Sequence, residues 1–60
     1  MQYIIVIGAG YFEGWHKNIM NCASVCSSKR KAHTFNKQEK VRRVIQRLRG
    51  LSYPAHMEIR

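Results

Sequence analysis

Apolar positions along this chain follow two different rhythms. Tyr3-Ile4-Ile5-Val6-Ile7 is apolar at every position and rich in β-branched side chains, which predicts a strand, central or covered on both faces. Gly8-Ala9-Gly10 follows, then a second aromatic run, Tyr11-Phe12-Glu13-Gly14-Trp15. Two such runs joined through glycine predict a β-hairpin, because glycine reaches the positive φ of a tight turn at little steric cost. Ile19 to Val25 reads as a weaker third strand.

The rhythm then changes. Val41, Val44, Ile45 and Leu48 recur at i, i+3, i+4 and i+7, one apolar stripe of an α-helix predicted over Lys37 to Arg49. Asn36 and Glu39 have the spacing of a capping box, with Asn36 as N-cap. Gly50 stands where a left-handed residue ends a helix, and Arg47 and Arg49 sit in the last turn, favourable to the helix dipole. After Pro54, Ala55 to Ile59 predicts a last short strand.

The order β-β-β-α-β predicts an α+β fold, a small antiparallel sheet with one amphipathic helix on one face. Residues 1–60 form a single small domain: 1–27 a hairpin or meander, 28–50 a basic turn and helix, 51–60 a terminal strand or tail. The helix stripe is expected to cover Ile5, Ile7, Phe12 or Trp15. At this length the apolar area makes a marginal core, so a homodimer that buries more surface is compatible with it.

Composition sharpens the picture through charge. Hydrophobic residues at 45% and charged residues at 23% are a globular mixture, not a disordered one. Eleven Lys/Arg against three Asp/Glu leave a net charge of +8. Nine of the eleven lie between Lys29 and Arg49, accompanied by Glu39 alone. On a helical wheel, Arg42 and Arg49 fall on one flank of the stripe and Lys40, Arg43 and Arg47 on the other. Lys29, Arg30 and Lys31 stand in the connection ahead. These eight residues are the expected contacts for an anionic partner, with nucleic acid, DNA or RNA, ahead of an acidic host-protein surface. Arginine's planar fork donates two hydrogen bonds to one phosphate, and a solvated face would ordinarily mix signs. Such binding is expected to be salt-sensitive and weakly sequence-selective.

Other chemistries fit less well. Ile4 to Gly10 has the outline of a dinucleotide-binding strand and Gly-x-Gly turn, but no helical period follows. No acidic residue stands about 20 residues on, where that motif places one. Cys22, Cys26, His16 and His33 are candidate ligands of a zinc-stapled domain, though their spacing matches no familiar finger. If strand-borne, Cys22 and Cys26 would lie ~13 Å apart at ~3.3 Å per residue, against the ~7 Å limit of a disulfide. Glu13, Glu39 and Glu58 are too scattered for an acid/base pair, so neither an enzyme nor a cofactor is expected. The longest apolar run is far short of the ~20 residues of a membrane span, and no signal-peptide pattern precedes it. A cytoplasmic location is the expectation.

The spacing Tyr3-x-Ile5, Tyr11-x₃-Trp15, Ser28-x₃-Ala32-x₂-Phe35 and Val41-x₂-Val44-Ile45-x₂-Leu48 resembles small accessory proteins encoded by lambda-like bacteriophages and prophages. In these a hairpin or meander leads through a turn to one helix. The resemblance implies a protein that binds or redirects host machinery, in the host cytoplasm. It assigns no functional residue.

Overall fold

A computed structural model describes all 60 residues. Four strands, β1 (Tyr3–Ile7), β2 (Gly10–Trp15), β3 (Ala23–Cys26) and β4 (Ala55–Ile59), form one antiparallel sheet in the order β3-β2-β1-β4. A single helix, α1 (Gln38–Gly50), packs chiefly on β1 and β4. A short 3₁₀ turn at Lys29–Lys31 lies between β3 and α1. The α+β architecture expected from the sequence is the one observed.

The apolar run becomes the central strand for a physical reason: all five residues of β1 are buried. Alternation along the strand sends Tyr3, Ile5 and Ile7 toward α1. There they join Phe12, Phe35, Ala55, Val41 and Leu48 in one core. Ile4 and Val6 point the other way and are also buried, so β1 is covered on both faces as predicted. The helix contributes its stripe unevenly. Val41 and Leu48 are fully buried, while Val44 and Ile45 are half-buried at the rim.

Gly8 makes the hairpin turn possible. Ile7 pairs with Gly10, leaving Gly8-Ala9 as a two-residue loop, and Gly8 sits at φ 57°. Gly10 is needed for a different reason. A Cβ there would stand 2.5 Å from Val25 Cγ1 and 3.0 Å from the Cys26 carbonyl oxygen, so a side chain at this position would have to displace Val25.

The hairpin does not zip to its end. β1 and β2 pair only through Val6–Tyr11 and Ile7–Gly10, and then diverge. The segment Ala32–Phe35 fills the gap. His33 N–H donates to Phe12 O at 2.9 Å, and Tyr3 and Phe35 exchange two backbone bonds of 2.8 Å. Nothing in the hydrophobic pattern announces this wedge, because a bridge of a few residues has no period.

Three boundaries differ from expectation. The third strand begins at Ala23, not Ile19: Asn21 takes φ 57°, and Ile19 and Met20 stand exposed in the connecting loop. The N-cap is Lys37, in extended conformation, and no side chain caps the helix, so the Asn36–Glu39 capping box does not form. At the other end α1 runs through Gly50. The chain reverses at Ser52, φ 71°, with Tyr53 N–H donating to Leu48 O at 2.9 Å. The left-handed residue therefore comes two positions later than Gly50.

Candidate nucleic-acid interface

All eleven Lys and Arg side chains are exposed. None meets a carboxylate at ion-pair distance, because the one pair in the molecule is His56–Glu58 at 3.3 Å. Scarcity explains this. Three glutamates serve the whole chain; Glu13 accepts from Ser24 Oγ at 3.1 Å and Glu58 faces His56. The positive field is thus not neutralised within the fold.

Arg49 and Arg47 leave α1 on opposite flanks, as the wheel predicts. One flank lies toward β4, where Arg49 Nε donates to Ala55 O at 3.1 Å. The other lies toward the β2–β3 ribbon. There the Arg47 guanidinium sits 4.7 Å from the centre of the Trp15 ring and donates to Asn21 Oδ1 at 3.1 Å. Arg47 and Arg49 are therefore partly engaged within the fold. The side chains of Lys29, Arg30, Lys31, Lys40, Arg42 and Arg43 make no intramolecular hydrogen bond and present their charge outward.

The two basic groups occupy separate pieces of chain. Lys29–Lys31 form the 3₁₀ turn, which is not among the principal packing partners of α1. Between them runs the connection Ala32–Lys37, where His33, Thr34, Asn36, Lys37 and Lys40 surround a shallow hollow beside the start of the helix. Backbone N–H groups at an uncapped helix start carry partial positive charge, and here Lys37 and Lys40 add whole charges beside it. The absence of a cap thus reinforces the sign of the field.

Aromatic side chains mostly serve the core. Tyr3 and Phe12 are buried, Phe12 meets Trp15 edge-on at 5.3 Å, and Trp15 packs at the rim under Arg47. One face of the indole is therefore occupied and unavailable to a stacked base. Phe35, stacked 6.5 Å from Phe12, is a core residue that the helix and strand periods missed.

The structure does not assemble the four candidate zinc ligands. No three His, Cys, Asp or Glu side chains lie together in a way that could hold a metal ion. His16 Nδ1 accepts from Asn18 N–H at 3.2 Å, and His33 lies edge-on to Phe35 at 4.6 Å. Cys22, just before β3, and Cys26, its last residue, are free thiols donating to Ala23 O and Ser28 O. No helix is long and apolar enough to cross a membrane.

No protein-family model, curated protein or solved structure matches the chain.

Proposed function

We propose that this protein is a small basic accessory protein that binds nucleic acid without strong sequence preference. In this reading it acts in the cytoplasm of a host cell. The flanks of α1 and the Lys29–Lys31 turn supply the contacts. One observation carries the proposal: eleven exposed cations with no carboxylate partner, nine of them between residues 29 and 49. Repulsion among like charges destabilises a chain this small, and an anionic polymer offsets it by releasing condensed counter-ions. Lys29, Arg30, Lys31, Lys40, Arg42 and Arg43 would meet phosphate directly. Arg47 and Arg49, already bonded within the fold, would contribute their field more than new hydrogen bonds.

The test is a fluorescence-anisotropy titration with labelled duplex DNA, single-stranded DNA and RNA at low and moderate salt. The expected result is micromolar binding to mixed-sequence targets that weakens steeply with salt. No salt-sensitive binding at micromolar protein overturns the proposal.

A second reading, a module that docks on a host protein, is favoured by the β2–β3 loop. Met20 is 89% exposed and Ile19 54% exposed, an apolar tip with no role in the core. A pull-down from nuclease-treated bacterial lysate, repeated with Met20→Ser, separates the two. A partner that survives nuclease and is lost with Met20→Ser supports docking. Loss of every partner with nuclease supports nucleic acid.

A further inference from the structure

We propose that the free edge of β4 pairs with β4 of a second copy of this chain, antiparallel and two-fold symmetric about Met57. This would join two four-stranded sheets into one. The proposal rests on β4 alone and stands whether or not the chain binds nucleic acid.

Hydrogen-bond parity fixes which groups are free. Arg60 N–H donates to Gln2 O at 3.0 Å and Gly8 N–H to Pro54 O at 3.1 Å, in the register that pairs Ile4 with Glu58 and Val6 with His56. In an antiparallel ladder the hydrogen-bonded pairs alternate. The amides of His56 and Glu58 therefore point at β1, and those of Ala55, Met57 and Ile59 point outward. Ala55 is already used: its N–H donates to Tyr53 O and its carbonyl accepts from Arg49 Nε. Met57 and Ile59 keep both backbone groups unpaired at the sheet edge. No proline or lysine stands within β4, and no strand pairs with its outer edge, where Arg49 reaches only the Ala55 carbonyl.

The strand is complementary to itself in one register. Pairing Met57 with Met57 of the second copy sets His56 opposite Glu58 and Ala55 opposite Ile59, in both directions. On the face away from α1, each imidazole meets the carboxylate of the other copy. These are the two side chains that already pair within one chain at 3.3 Å, and both are about half exposed. On the helix face, Ile59, 57% exposed in the single chain, gains an apolar neighbour beside the core residue Ala55. Two Met57 N–H···O=C bonds form at the axis. Ile59 N–H reaches the second lone pair of the opposing Ala55 carbonyl. A two-fold contact uses one patch twice, so a self-complementary register is its requirement. Repulsion between two chains of +8 opposes the contact, and salt screens it.

The experiment is sedimentation velocity in moderate salt, from micromolar to millimolar protein, on the wild type and three variants. Glu58→His sets two imidazoles opposite each other and is expected to weaken dimerisation about tenfold. His56→Glu combined with Glu58→His exchanges donor and acceptor, keeps both pairs, and is expected to restore the wild-type constant. Met57→Pro removes an N–H that no intrachain bond uses, so the sheet stays folded by circular dichroism while the dimer is lost. A wild type that stays monomeric at millimolar concentration overturns the proposal. So does a dimer indifferent to Glu58→His. Should Met57→Pro unfold, the charge exchange alone decides.

Discussion

Arg47 links three parts of the molecule that are far apart in sequence. Its guanidinium covers Trp15 from β2 and holds Asn21 in the β2–β3 loop, while its backbone belongs to the last turn of α1. Its neighbour on the same flank, Arg43, has no such partner. The two arginines should therefore separate stability from binding. Arg47→Ala is expected to lower stability by about 1 kcal/mol, the worth of an exposed cation–π contact with its hydrogen bond, read as a lower Tm. Arg43→Ala should leave Tm unchanged and reduce the salt slope of nucleic-acid binding by about one. The helical wheel puts both residues on one flank, since it needs only their spacing, and Arg47 lies where the wheel sets it. The sequence held no sign that Trp15 waits beneath one of them. That contact depends on how β2 lies against α1, which no local pattern encodes.

At the scale of the element, α1 was legible because its stripe serves one purpose along the whole helix. Val41 and Leu48 lie at the centre of the core, and the polar positions between them all face water. Its ends were less legible. Asn36 is a favourable N-cap type, yet the chain is tied at Phe35 by two bonds to Tyr3 and turns helical only after Lys37. A backbone anchor thus outweighs a capping preference of about 1 kcal/mol. Lys37 already has extended N-cap geometry, at φ −122° and ψ 131°, without an acceptor to use it. Lys37→Ser should stabilise the protein by about 1 kcal/mol, measured by thermal or urea unfolding. The third strand failed at its start for a similar reason. Ile19 and Met20 are apolar, but the loop must reverse through Asn21 before Ala23 can pair with Trp15 at the end of β2.

Across the whole molecule, the basic composition and the α+β order were readable, and the wedge between β1 and β2 was not. That wedge governs the behaviour of the segment carrying half the proposed interface. The connection leaves β3 at Cys26 and is locked again at His33 and Phe35, by bonds to Phe12 and Tyr3 in the two inner strands. Opening it means tearing strands from the core, so no small fluctuation suffices. In hydrogen exchange, the amides of Tyr3 and Phe35 should exchange only on global unfolding, matching the slowest sites of β1. An exchange rate like that of a loop would contradict this. The consequence concerns entropy rather than charge. Lys29, Arg30 and Lys31 stand on a backbone fastened at both ends, so meeting a phosphate chain orders only their side chains. A basic tail must give up backbone freedom in order to bind, whereas this turn has already surrendered its own in folding.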